Sequence, residues 1–198
     1  MRLLYTLLCG LLLSACAQIN ITSSWYDSTY TKIPIKSAYV VAMSDNISTR
    51  RIFEDDMVSR LRTAGVNAVP SSQMFPNKPP TKEQIAAYAK NYGMQTVFVA
   101  QLVDVENKIV EYPEETLGYT NDLMFDGFYD NAYDYVYGGS YTVSYEEMNV
   151  AFTLFDTVSK RAIWSTSAQF DQSDDVNKTS SEVTKLLIHN MKNYHIVD

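Results

Sequence analysis

The chain is poor in the residues that carry chemistry. Cysteine occurs only as Cys9 and Cys16, and histidine only as His189 and His195. Everything beyond Cys16 therefore closes no intramolecular disulfide and offers no thiol nucleophile. The two histidines are six apart, a spacing that does not stack two ligands on one helix face. His189 reads as a helix-surface residue and His195 as a tail residue. No His-Glu-x-x-His, Gly-x-Ser-x-Gly, Gly-x-Gly-x-x-Gly or P-loop pattern occurs, which argues against a zinc site, a nucleophile elbow and a phosphate cradle. Positive charge is also scarce: 16 Lys and Arg face 23 Asp and Glu, a formal net charge of −7. That balance disfavours nucleic acid or a polyanionic glycan as an electrostatic ligand. No apolar run reaches the roughly 20 residues that a membrane-spanning helix needs.

What is present begins at the amino terminus. Met1-Arg2 is a short positive start, Leu3 to Leu13 is an apolar run, and Leu13-Ser14-Ala15-Cys16 matches the lipobox at which bacteria cleave a signal peptide between alanine and cysteine. Residues 1–15 are then a lipoprotein signal peptide, and Cys16 is the first mature residue. In the lipoprotein class that this pattern resembles, the cysteine carries a thioether-linked diacylglycerol and an amide-linked acyl chain. Each buried CH₂ contributes about 0.8 kcal/mol, so several chains make the bilayer a permanent partner. Ala17 stands where an inner-membrane retention signal has Asp, which favours the periplasmic face of the outer membrane. Residues 16–36 read as the lipidated end and a short polar tether, with Trp25 open to a second reading as part of a first strand packed on the core.

From residue 37 the pattern is that of one α/β domain. Ala38 to Met43 is a β-branched strand. A helix follows, with Ser48 or Thr49 as its cap, Phe53, Met57 and Leu61 on one face, and Gly65 where a C′ glycine belongs. Val66 to Val69 is a short strand. Thr81-Lys-Glu-Gln84 forms a capping box opening a helix through Ile85, Ala89 and Tyr92 that Gly93 ends. Thr96 to Val103 is apolar enough for a central strand covered on both faces. Met148, Val150, Phe152 and Leu154 alternate, as do Trp164, Thr166, Ala168 and Phe170, so the two segments read as a hairpin turning at Asp156 to Arg161. Asp174 or Asp175 caps a last helix with Val176, Val183, Leu187 and Met191 on one side. The expected architecture is a mixed sheet with helices packed on it, in the order β-α-β-α-β, insert, β-β-α, within residues 37–198.

The insert, at about 112–147, is the compositional anomaly. It holds eight tyrosines and eight carboxylates, and no Lys or Arg occurs from Ile109 to Ser159. Tyr119, Phe125, Phe128, Tyr129, Tyr133, Tyr135, Tyr137 and Tyr141 are candidate contacts, because tyrosine offers stiff area with a polar tip. The alternative is that the rings cover the sheet and the acids form a solvated face. Asp122, Asp126, Asp130 and Asp134 repeat every four residues, but like charges at that spacing oppose a helix, and Gly127, Gly138 and Gly139 favour turns. A calcium ion could relieve the repulsion, yet the Asp-x-Asp-x-Asp-Gly loop is absent, so no metal and no cofactor is expected. The same acids could be read as a glycosidase pair, although nothing selects two of them.

The lipobox, Thr22-Ser-Ser-Trp-Tyr-Asp27, Arg51-Ile-Phe-Glu54, Gly65-Val-Asn-Ala-Val-Pro-Ser71, the Thr96–Val103 strand and Leu154-Phe-Asp with Ile163-Trp164 together resemble a family of small bacterial lipoproteins of unknown function. More distantly, the element order is similar to the amino-terminal domain of TolB, the curli secretion lipoprotein and the lipoprotein that activates a penicillin-binding protein. Those relatives bind other proteins. Permanent tethering, the absence of catalytic residues and an insert whose composition suits contact point to a non-enzymatic envelope lipoprotein that binds or scaffolds another envelope component, with a protein as its partner. The alternatives are a glycan-directed envelope hydrolase using insert carboxylates, and a purely structural lipoprotein.

Overall fold

The structure is a computed structural model, and it describes residues 19–106, 125, 127, 129, 147–171 and 175–198. The expected signal peptide and Cys16 lie outside these residues, as do Asp122, Asp126, Asp130 and Asp134. Strands β1 (Asn20–Tyr26), β2 (Ser37–Met43), β3 (Asn67–Pro70), β4 (Thr96–Glu106), β5 (Glu147–Asp156) and β6 (Ala162–Asp171) alternate with helices α1 (Ile47–Thr63), α2 (Lys82–Tyr92) and α3 (Val176–Asn193). The strands form one six-stranded sheet in the order β1-β6-β5-β4-β2-β3. β2 runs parallel to both β3 and β4, and the β4, β5, β6 and β1 neighbours are antiparallel. This is the mixed α/β single domain that the pattern implies.

Each face of the sheet has its own helices because the β2 side chains alternate. Ala38, Val40 and Ala42 face α1 and α3, packing with Met57, Leu61, Phe98, Phe152, Trp164, Leu187 and Met191. Tyr39, Val41 and Met43 face the other way, toward Ile85 and Ala89 of α2 and toward Phe125 and Tyr129. The expected hairpin forms, with Met148 opposite Phe170, Val150 opposite Ala168, Phe152 opposite Thr166 and Leu154 opposite Trp164. One residue of slip would turn that whole row away from α1 and α3.

The helix ends follow the expected chemistry with one change. Thr81 and Gln84 form the capping box of α2, Gly93 ends it at φ 61°, and Asp175 caps α3 through Lys178 N. α1, however, is capped by Asn46, whose side chain accepts from Thr49 N at 3.0 Å. Ser48 and Thr49 lie inside the first turn, and the helix starts earlier than its apolar period shows.

Residues 20–26 are a strand rather than tether. β1 lies along β6, where Ser24 Oγ and Thr166 Oγ1 are 2.8 Å apart and Asn190 of α3 donates to Ser24 Oγ at 2.9 Å. Asn190 in turn accepts from Trp164 Nε1 at 3.1 Å, so one amide joins strand, helix and core. Trp25 is 42% exposed, so the strand reading holds without the core packing attached to it.

Candidate functional site

Two carboxylates with almost no solvent contact mark opposite ends of the sheet. Glu54, on α1, lies at the carboxyl ends of β2 and β3. Its Oε1 accepts from Ala42 N at 2.9 Å, Arg50 Nε at 3.2 Å and Ser71 Oγ at 2.6 Å, and its Oε2 accepts from Ser72 N at 2.6 Å. Arg50 also donates to the Phe75 carbonyl. Glu54 is 0% and Arg50 1% exposed. A pair so enclosed is a tie between α1, β2 and the 71–75 loop.

The other end is open. Asp156 ends β5, and its Oδ2 accepts from Val158 N at 3.2 Å, Ser159 N at 2.7 Å and Ser159 Oγ at 2.9 Å. Its Oδ1 accepts from the Tyr30 hydroxyl at 3.0 Å and lies 3.7 Å from Lys32 Nζ. Burial pushes the Asp156 carboxyl up, but the Ser159 amide and hydroxyl, the Tyr30 hydroxyl and Lys32 outweigh it and hold the group below its ordinary value. Burial pushes Tyr30 up to about 12; Gln95 acts against this, while the Asp156 hydrogen bond and charge add to it. With its oxygens engaged by donors, Asp156 is an anchor for the turn and poorly placed to act as a general base.

The turn is fixed to the start of β4. Thr157 Oγ1 donates to the Met94 carbonyl at 2.7 Å, and Thr157 N donates to the Gln95 carbonyl at 3.0 Å. Gln95 accepts from Lys36 N at 2.7 Å and donates to the Lys32 carbonyl at 2.9 Å and the Tyr30 hydroxyl at 3.2 Å. Phe125 N donates to the Lys160 carbonyl at 2.8 Å, which pins that part of the insert to the same turn.

Between the turn and α2 lies a groove of about 520 Å³, within the usual range of about 300–1,000 Å³ for small-molecule sites. Its floor is Ile85, Ala89, Met94, Val97, Phe125 and Phe155, all buried. Its rim carries Lys32, Lys90 and Lys160, all exposed. Asp156 is the one carboxylate among the described lining residues. A Cβ built on Gly93 meets nothing within 4 Å, so the groove is open there, and glycine is required for its left-handed φ rather than for space.

Of the eight aromatic contact candidates, Phe125 and Tyr129 are described, at 6% and 1% exposure, and Phe125 meets Phe155 edge-on at a centroid distance of 5.1 Å. Both pack on the sheet, as the alternative reading of the insert has it, and Phe125 also lines the groove. Tyr119, Phe128, Tyr133, Tyr135, Tyr137 and Tyr141 lie outside the described residues. His189 and His195 are both exposed. Among the described residues no group of three or more His, Cys, Asp or Glu could hold a metal ion, and no helix is long and apolar enough to cross a membrane. Sequence reasoning missed the groove entirely. Its lysines come from a coil, a helix and a turn, and only the fold brings them together.

No family model and no curated protein matches the chain. Among solved structures it is similar to the PelC dodecamer from Paraburkholderia phytofirmans, at 12% identity and TM-score 0.45, over 87% of this chain and 96% of that one. A variant of the same dodecamer gives 13% identity and TM-score 0.46 over the same shares. Lipoprotein GNA1162 from Neisseria meningitidis is similar at 15% identity and TM-score 0.38, over 80% of this chain and 94% of that one. Likenesses at this level do not bear on what the groove does.

Proposed function

We propose that the chain is an envelope lipoprotein, held by acylated Cys16 on the periplasmic face of the outer membrane, whose domain is a non-catalytic binding module. The observation that carries the reading is the groove between α2 and the β5–β6 turn. It has an apolar floor, a rim fixed by hydrogen bonds, and a single lining carboxylate already occupied by donors among the described residues. Preformed concavity of this kind suits binding, and an acid held in its ionised form by several donors suits structure better than proton transfer. The insert contributes to the module through Phe125, which walls the groove.

The orientation supports the same reading. β1 begins four residues after Cys16 and runs antiparallel to β6, so its first residue lies beside Gln169 and its last beside Trp164. The groove is at the Trp164 end, the far end of the strand from the anchor.

Native mass spectrometry of the gently extracted lipoprotein tests the proposal. A discrete bound mass is expected in the wild type and is absent in Ala86→Trp, where an indole on the exposed, groove-lining face of α2 fills the opening without entering the core. No discrete adduct in the wild type, or one that Ala86→Trp retains, contradicts it. Cys16→Ser tests the anchor: it is expected to leave unprocessed, non-acylated precursor.

A further inference from the structure

We infer that the outer edge of β1 takes an extended segment of another envelope protein, added as a further strand of the sheet. The site is separate from the groove. β1 is an end strand, paired with β6 alone among the described strands. Trp25 lies opposite Ser165, and Asp27 N donates to the Ile163 carbonyl at 2.9 Å. Hydrogen-bonded pairs alternate in an antiparallel ladder, so Ser23, Trp25 and Asp27 aim their backbone groups at β6 while Ser24 and Tyr26 aim theirs outward. Among the described residues nothing hydrogen-bonds to the N–H or C=O of Ser24 or Tyr26.

The two edges of the sheet differ. β3 is four residues long and ends in Pro70, and its Ala68 carbonyl accepts from Arg62 Nε at 3.0 Å. Shortness, proline and a basic side chain are means by which an edge is kept from pairing. β1 is seven residues long and has neither a charge nor a proline. Its one bulge falls between Ile21 and Ser23, and Ser23 to Tyr26 beyond it keep a regular register. The exposed Trp25 adds apolar area for a cross-strand neighbour.

The chemistry of the edge names its occupant. Backbone donors and acceptors at strand spacing are matched by another extended polypeptide, which a lipid tail or a sugar ring does not reproduce. A different protein fits better than a second copy. Two β1 edges related by a two-fold axis pair antiparallel, which sets the second anchor at the far end of a seven-residue ladder, about 23 Å away. The four residues from Cys16 to Asn20 span about 14 Å at most. The choice of partner, though not the open edge, rests on the anchor proposed above, which Cys16→Ser tests separately.

Photocrosslinking of the full-length lipoprotein in the producing cells tests this, with p-benzoylphenylalanine in place of Ser23 or of Trp25, both exposed and on one face of β1. The expected result is a crosslink from each position to one segment of one other protein, with the two attachment points two residues apart. That stagger is the support, and capture alone is not. Ser24→Pro is expected to abolish both crosslinks, because its N–H is outward and proline there blocks an added strand while leaving the β6 ladder whole. Ser24→Ala, which loses the same hydroxyl contacts to Thr166 and Asn190, is expected to keep them. Crosslinks to a second copy or within this chain, crosslinks without the stagger, crosslinks that Ser24→Pro retains, or none at all overturn the inference. The stagger is read without either Ser24 variant, so it decides the matter even where proline perturbs β1.

Discussion

At the carboxyl ends of β2 and β3, Glu54 is enclosed with Arg50 and takes four hydrogen bonds from Ala42, Arg50, Ser71 and Ser72. At the opposite end of the sheet, Asp156 is almost as buried, but it supports a turn that lies beside an open apolar groove. The comparison separates two uses of charge. A closed ion pair has spent its interactions on the fold. The Asp156 end uses its charge to hold a turn, and the apolar groove beside that turn stays open.

The largest effect is expected where the charge is most enclosed. Glu54→Ala leaves Arg50 buried without its anion and strands the Ser72 amide, so chemical denaturation should show a loss of about 3–5 kcal/mol. A loss under about 1 kcal/mol would mean that water reaches this end and that the two ends are alike. Asp156→Asn should cost about 1–3 kcal/mol, because the amide cannot accept at both positions as the carboxylate does.

Asp156 also gives a pH signature. Its folded value is below its unfolded one of about 3.9, so its contribution is present above that pH and lost as pH falls through the folded value. The acid limb of the stability curve should be flatter in Asp156→Asn than in the wild type. Tyr30 works in the other direction. Raised to about 12 in the fold from its ordinary 10.0, it contributes fully below pH 10 and loses that contribution as pH rises toward 12. Tyr30→Phe should cost about 1 kcal/mol at neutral pH and flatten the alkaline limb; an unchanged alkaline limb would show that the hydroxyl is not held as described.

The smallest stability effect belongs to the rim. Lys160→Gly relieves a left-handed residue and is expected to leave stability unchanged or raise it by up to about 1 kcal/mol in chemical denaturation. A clear loss would show that the Lys160 side chain contributes more to the turn than its backbone strain costs.

Local rules made most of the elements readable. The β5–β6 pairing follows from strict alternation in two segments, and the α2 boundaries follow from Thr81, Gln84 and Gly93, whose chemistry is confined to single turns. β1 was ambiguous because Asn20–Tyr26 has no apolar alternation; its strand form depends on β6, far along the chain. Glu54 left a trace that could have been followed. Positions 50, 54, 57 and 61 lie on one stripe of α1, so a charged pair shares the face of Met57 and Leu61 and is buried with them. The groove left no trace, since an exposed lysine at position 32, 90 or 160 has nothing local to distinguish it from any solvated lysine.

The most direct measurement is hydrogen–deuterium exchange of the membrane-anchored protein with and without the discrete mass expected on it from native mass spectrometry. The account predicts slowed exchange in residues 85–97 and 155–162, with no change around Ala42, Glu54, Ser71 and Ser72. Protection at the Glu54 end, protection spread over both ends, or none in either would contradict it.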